Sequence, residues 1–213
     1  MIRRRSLLLL ASAWPLAAPA LAAAPSVAAE PAGRVSLSEG VVHVLRAGVP
    51  SPLGEGEPVF RGDVLRTGPA AKVRIECADG LVVVIGPATE VSVAEYLDEC
   101  GAGGGDLALA LDLLEGVVRL ARSVARRAFR IDVRSQTAVA SVRSTEWIVE
   151  AGPAGTGVLA LTGRVQVEAR AGGIVVLDGG GLGTDVGPGQ TPRLPRRWGE
   201  GRRADALRRT SLP

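Results

Sequence analysis

The order of apolar and polar residues follows a period of two along most of the chain after residue 33. Such alternation places successive side chains on opposite faces of a β-strand, and glycine interrupts it here at short intervals. The pattern predicts strands at Arg34–Leu37, Val41–Leu45, Val64–Thr67, Lys72–Cys77, Leu81–Ile85, Glu90–Val93, Leu107–Leu111, Val117–Leu120, Ala128–Val133, Ala138–Val142, Glu146–Glu150, Gly157–Leu161, Arg164–Glu168 and Gly173–Leu177.

Glycine placement predicts how these strands are joined. Tight reversals with a glycine at positive φ are expected at Arg61–Asp63, Ala78–Gly80, Leu114–Gly116 and Leu161–Gly163. A glycine followed by alternating apolar residues also recurs at uneven intervals, which is typical of stacked layers or a rolled sheet. The expected fold is therefore all-β, with a stacked or rolled β-sheet that is solenoid-like or sandwich-like.

Two segments carry a helical pattern. Asp106–Leu114 fits a helix or a strand equally well, and the pattern alone leaves both open. Arg202–Arg209 predicts a short C-terminal helix.

The N-terminus has the order of a secretory signal. Arg3, Arg4 and Arg5 form a basic region, and an apolar, alanine-rich run follows it. Ala20 and Ala22 are small residues of the kind that signal peptidase requires, so cleavage is expected after Ala22. The mature protein is then expected in the periplasm, a compartment outside the cytoplasm.

The export route and the fate of the signal have alternatives. Arg4 and Arg5, followed by Ser6 and two leucines, resemble a twin-arginine signal, but basic residues also precede ordinary secretory signals, so both routes stay open. An uncleaved membrane anchor is the alternative to cleavage. Pro15 and Pro19 argue against that anchor, because proline weakens a membrane-spanning helix.

Charge divides the chain unevenly. The formal net charge is +3, and the three arginines of the signal account for all of it. Residues 193–213 contain seven arginines and two acids, so the body before them is acidic. This basic tail is expected to be a solvated end or to touch an anionic surface, and the overall charge gives no indication of nucleic-acid binding. The expected organisation is a signal peptide (1–22), a linker (23–32), a β domain (33–192) and a basic C-terminal tail (193–213).

Cys77 and Cys100 are the only cysteines in the chain. An exported protein meets an oxidising compartment, where two cysteines tend to pair. We therefore predict a disulfide that fastens the glycine-rich loop after Cys100 to the strand that ends at Cys77. Two separate thiols are the alternative.

The order of turns and strands resembles the FecR domain, the periplasmic part of ferric-citrate-type sigma-factor regulators, over about residues 33–192. Two elements carry most of this resemblance: a Gly-Asp-x-Leu-x-Thr-Gly segment that begins at Gly62, and an Ala-x-Val-Arg segment that ends at Arg143. The second element departs from the family at Ser144, where glycine is usual. The matching positions are Gly62, Asp63, Thr67, Gly68, Asp79, Gly80, Gly116, Val142, Arg143, Thr145 and Gly163.

The resemblance implies a module that senses a ligand or a partner. Regulators of this family carry a cytoplasmic anti-sigma segment and a membrane span before the domain, whereas here a signal peptide precedes it. We therefore expect no direct contact with a sigma factor. The favoured function is a non-catalytic binding or sensing module for an envelope protein or polymer, and a periplasmic component of transmembrane signalling linked to iron uptake is an alternative.

Side-chain chemistry argues against an enzyme. His43 is the only histidine, so a Ser-His-acid triad or a histidine-rich metal site is nearly excluded, and no cofactor is expected. A carboxylate-dependent glycan hydrolase remains as the weaker alternative, with its acids drawn from predicted turns. Aromatic residues that usually stack on sugar rings are scarce, and a calcium set at Asp98, Glu99 and Asp106 lacks the spacing of a known calcium motif. The acids of the two clusters are Glu55, Glu57 and Asp63, and Asp98 and Glu99.

Overall fold

The computed structural model describes residues 31–98, 107–122 and 129–212. Within these ranges the chain forms β-strands, a short 3₁₀ turn at Ala78–Gly80 and one α-helix. The elements are β1 (Gly33–Glu39), β2 (Val42–Arg46), β3 (Val49–Pro52), β4 (Pro58–Val59), β5 (Val64–Thr67), β6 (Lys72–Cys77), β7 (Leu81–Ile85), β8 (Glu90–Asp98), β9 (Leu107–Arg122), β10 (Phe129–Arg134), β11 (Ala138–Gly152), β12 (Gly155–Ala169), β13 (Ile174–Asp178), β14 (Leu182–Val186), β15 (Arg196–Arg197) and α1 (Glu200–Arg209).

The expected all-β class is confirmed. Every segment that alternation predicts overlaps a strand, and the ambiguous Asp106–Leu114 segment is a strand from Leu107 onward. The pattern missed β3, β4, β14 and β15. These strands are short or rich in proline, glycine and polar residues, so they show no clear alternation.

Three long strands, β9, β11 and β12, connect two layers of the sheet. The pairings give the first layer the order β4-β1-β6-β7-β9-β11-β12-β14-β15. In the second layer the order is β3-β2-β5-β8-β9-β10-β11-β12-β13. The inward side chains of both layers belong to one hydrophobic cluster, which includes the fully buried Trp147. The fold is therefore a two-layer arrangement around a single core.

Two of the predicted reversals are wrong. Leu114–Gly116 lies inside β9 and Leu161–Gly163 lies inside β12, so neither segment reverses the chain. Up to Glu115, β9 pairs with β8, whereas from Gly116 onward it pairs with β11. The glycines do adopt the expected positive φ, 104° at Gly116 and 64° at Gly163. A glycine at positive φ within a strand forms a bulge, which here bends the strand from one layer to the next.

Helix α1 confirms the expected C-terminal helix and covers part of the outer face of the first layer. The outward side chains of Val117, Ile148 and Leu159, one from each long strand, form a second apolar cluster with Trp198 and Ala206 of the C-terminal segment. The charge pattern separates residues 193–213 from the domain, but in the structure Trp198 and Ala206 of this segment pack on the sheet.

Candidate functional site

The Gly-Asp element of the motif forms a buried corner. The Asp63 side chain is 1% exposed, and its carboxylate accepts two hydrogen bonds from the Arg46 guanidinium, at 2.9 and 2.7 Å. The same carboxylate accepts the Phe60 backbone N–H at 2.9 Å, and the Arg46 guanidinium lies 4.6 Å from the centre of the Phe60 ring. The hydrogen bond to Asp63 raises the pKa of Arg46. Asp63 therefore connects β2 to the turn before β5.

Thr67, the threonine of this element, forms a second set of buried hydrogen bonds. The Thr67 hydroxyl donates to the Gly86 carbonyl at 2.6 Å and accepts the Thr89 N–H at 2.9 Å. The Thr89 hydroxyl in turn accepts the Val117 N–H at 3.0 Å. Both threonines are buried, so they join β5, the turn before β8 and the bulge of β9.

The remaining motif positions also lie at turns or in the core. Gly68 accepts backbone hydrogen bonds from Ala71 and Ala88, and Gly80 has a φ of 70° in the 3₁₀ turn. Val142 is a core residue. The side chains of Asp79, Arg143 and Thr145 are outside the described residues. Where the structure describes them, the motif residues hold the fold together and do not converge on a ligand.

The candidate catalytic acids before β5 act as loop anchors. Glu55 accepts the Ser38 N–H at 3.1 Å, Glu57 accepts the Gly54 N–H at 2.6 Å, and Asp63 is paired with Arg46. His43 is exposed on β2. In the described ranges no group of three or more His, Cys, Asp or Glu residues could hold a metal ion. The Asp98 side chain, Glu99 and Asp106 are outside those ranges.

Cys77 ends β6, and burial raises the pKa of its thiol to about 12. Its candidate partner Cys100 lies outside the described residues, as do Arg4, Arg5, Ala20 and Ala22 of the signal. The disulfide and the cleavage site therefore stay predictions.

The arginines of the C-terminal segment attach it to acids of the sheet. Arg202 donates to Glu150 at 3.1 Å and to Asp185 at 2.8 Å, and it stacks 3.6 Å from the Trp198 ring centre. A side chain at Gly157 would lie 2.2 Å from the Arg202 guanidinium, so this glycine provides the space that the arginine occupies. Arg209 donates to Glu150 at 3.0 Å. Much of the basic charge of this segment is thus paired within the fold.

A groove of about 530 Å³ opens beside these ion pairs, and we call it the hairpin groove. Its walls are the β11–β12 turn (Gly152–Gly155), the loop after β14 and the C-terminal segment. Glu150 and Asp185 form ion pairs with arginines, whereas no described residue forms an ion pair with the Arg193 guanidinium. The volume of the hairpin groove is in the range of ligand sites, which lie between about 300 and 1,000 Å³. The groove can offer a guanidinium and glycine backbone groups to a polar or anionic chain.

Sequence reasoning did not find this groove. Its residues come from β9, β11, β12, β14 and the C-terminal segment, which are far apart along the chain. The available signal was the pair of Gly-Pro turns, Gly152-Pro153 and Gly187-Pro188, which mark two of the walls.

No helix in the described part of the chain combines the length and apolar content needed to cross a membrane.

Comparisons with known proteins agree on the fold. Residues 63–166 match the family model described as FecR protein. Two crystal structures, each of a "putative anti-sigma factor from Parabacteroides distasonis ATCC 8503", align over 68% of this chain with TM-scores of 0.52 and 0.53 and 16% identity. The alignments cover 64% and 63% of those two chains, which is less than two thirds of their length. No curated protein matches the chain.

Proposed function

We propose that this chain, which carries a FecR domain at residues 63–166, is an exported, non-catalytic module that binds a protein or polymer of the cell envelope. The observation that carries the proposal is the hairpin groove, where Arg193 and two glycine-containing turns meet beside a fixed network of ion pairs. A rigid frame with a cation that has no ion-pair partner among the described residues suits recognition of an acidic or polar chain.

The rest of the polar inventory supports binding rather than catalysis. Asp63, Glu55 and Glu57 accept hydrogen bonds that stabilise turns, so they are not poised as a general acid and base. The similarity of this chain to signalling regulators is consistent with a role in which a partner protein relays the signal. With a cleaved signal peptide this chain would act outside the inner membrane, and any cytoplasmic output would run through that other protein.

Cross-linking in living cells tests the proposal. A photo-reactive residue at Ala154, in the groove wall, should capture one partner reproducibly in the periplasmic fraction, because Ala154 is exposed. The same residue at Ala70, in an exposed turn between β5 and β6, is the matched control. Arg193→Glu should reduce capture at least about tenfold, whereas Arg197→Glu, an equally exposed arginine on β15, should leave it unchanged.

Three outcomes would overturn the proposal. Equal labelling from Ala154 and Ala70 would show that the groove is not the binding surface. Retention of the protein in the cytoplasm would refute export. Turnover of a glycan that is lost when Glu55 or Glu57 is changed to glutamine would replace binding with hydrolysis.

A further inference from the structure

Strand β13 leaves one edge of the second layer without a neighbour. It pairs with β12 on one side only, from Arg164↔Asp178 to Glu168↔Ile174. Among the described residues no backbone hydrogen bond reaches β13 from its other side. An open strand edge presents unpaired N–H and C=O groups and is a template for another strand.

The other sheet edges are protected. β3 contains Pro50 and Pro52, which lack an N–H. β4 and β15 are two residues long, and β15 consists of two arginines. The loop after β3 covers β1 at Val35, whose N–H donates to the Glu57 carbonyl and whose carbonyl accepts the Gly56 N–H. β13 has five residues and no proline, lysine or bulge.

The alternation of ladder bonds identifies which residues face the open edge. The Ala169 N–H donates to the Gly173 carbonyl at 3.1 Å, so these two residues form a hydrogen-bonded pair. In an antiparallel ladder such pairs occur at every second position, so Val175 and Leu177 direct their backbone groups to β12. Ile174 and Val176 therefore direct theirs to the open edge.

The same two residues carry apolar side chains on the outer face. Ile174 is 57% exposed and Val176 is 46% exposed, whereas their partners on β12, Glu168 and Gln166, are polar, as the outer face of a solvated sheet normally is. Exposed apolar side chains thus coincide with unpaired backbone groups. A docked strand would hydrogen-bond to these backbone groups and cover the apolar side chains.

We propose that β13 pairs with β13 of a second copy of this chain, antiparallel about a two-fold axis at Val175. This register places Ile174 opposite Val176 of the second copy, and Val176 opposite its Ile174. Asp178 falls opposite Gly172, so no like charges face each other. The strand is therefore complementary to itself, as a two-fold interface requires. The pairing is independent of the hairpin groove and of the proposed function.

Sedimentation of the purified mature protein tests the pairing. The wild type should show a monomer–dimer equilibrium that depends on concentration. Val176→Lys should weaken the dimer at least about tenfold, because it places a charge in the apolar patch. Val49→Lys is the matched control, since Val49 is 66% exposed on the proline-blocked edge β3, and it should dimerise like the wild type.

A second variant acts on the backbone. Val176→Pro removes an N–H that points to the open edge and leaves the β12 ladder complete, so it should abolish the dimer without unfolding the protein. Hydrogen exchange gives an independent measurement that needs no variant. The amides of Ile174 and Val176 should exchange rapidly at low concentration and become protected as the dimer forms.

Several results would overturn the inference. A monomer at every concentration would do so, as would a dimer that Val176→Lys leaves intact. Protection of the Ile174 and Val176 amides in the dilute monomer would show that the chain covers its own edge. Protection that appears only with another envelope protein would assign the edge to that protein instead of a second copy.

Discussion

Arg46 and Asp63 form a two-point ion pair in which one partner is buried and the other is half-exposed: the Asp63 side chain is 1% exposed and that of Arg46 is 45% exposed. The pair joins β2 to the turn before β5, and Asp63 is the acid of the Gly-Asp-x-Leu-x-Thr-Gly element. A buried carboxylate depends on its partners, because burial without them removes its hydration.

We expect Arg46→Ala to lower the free energy of unfolding by about 3 kcal/mol, since it leaves the buried carboxylate with the Phe60 N–H alone. The half-exposed arginine keeps this value at the lower end of the range for buried pairs. Urea unfolding measures the change. Arg66→Ala, which breaks an exposed pair with Glu90, is the control and should have little effect. Equal losses in the two variants would contradict the structural role of Asp63.

Gly116 should tolerate no side chain. Its φ is 104°, and a Cβ would lie 2.1 Å from the Thr89 hydroxyl oxygen. Gly116→Ala should therefore cost about 3 kcal/mol, from backbone strain and overpacking together. Gly180→Ala isolates the strain, because Gly180 has a φ of 64° and open space around it, and it should cost about 1 kcal/mol. If thermal and urea unfolding gave the two variants the same stability, the close contact at Thr89 would be refuted.

Ala206 should hold α1 on the sheet. It is fully buried against the cluster that contains Val117, Ile148 and Leu159. Ala206→Arg should weaken helix docking by about 3 kcal/mol, because it places a charge in an apolar contact. Hydrogen exchange followed by mass spectrometry should then show faster exchange across α1. Ala204→Arg, at an exposed position of the same helix, should leave the exchange rates unchanged.

Cys77 should make stability depend on pH when Cys100 is replaced by serine. Burial raises the Cys77 pKa from 9.0 to about 12, so the unfolded chain loses this proton at a lower pH than the folded chain. The stabilisation is complete below pH 9.0 and is lost as pH rises toward 12, by at most about 1.4 kcal/mol per pH unit. Urea unfolding of Cys100→Ser, compared with the same protein carrying Cys77→Ala, isolates this effect. Parallel pH profiles would contradict it.

The pair Cys77 and Cys100 is expected to be oxidised in protein recovered from the periplasm. Thiol labelling under denaturing conditions should detect free cysteines only after reduction. Labelling of both residues without a reducing agent would rule out the disulfide.

The sequence predicted the local features of the fold. Alternation located most strands of both layers, and a glycine such as Gly116 revealed its positive φ because only the missing Cβ makes that conformation inexpensive. The helix at the C-terminus was also predicted from its own residues. The Gly-Asp and Val-Arg elements indicated the FecR domain, which the family match at residues 63–166 bears out.

The tertiary structure decided what these local features do. Gly116 and Gly163 bend continuous strands instead of reversing the chain, because the strand changes partner at each bulge, from β8 to β11 at Gly116 and from β14 to β13 at Gly163. The hairpin groove and the open edge of β13 likewise depend on which segments become neighbours. The sequence by itself determined the backbone preferences and the module, since these follow from each residue and its nearest neighbours. The pairing of strands decided where the groove and the open edge lie. A strand is an open edge only if no other strand pairs with its second side, and a groove needs walls from several segments.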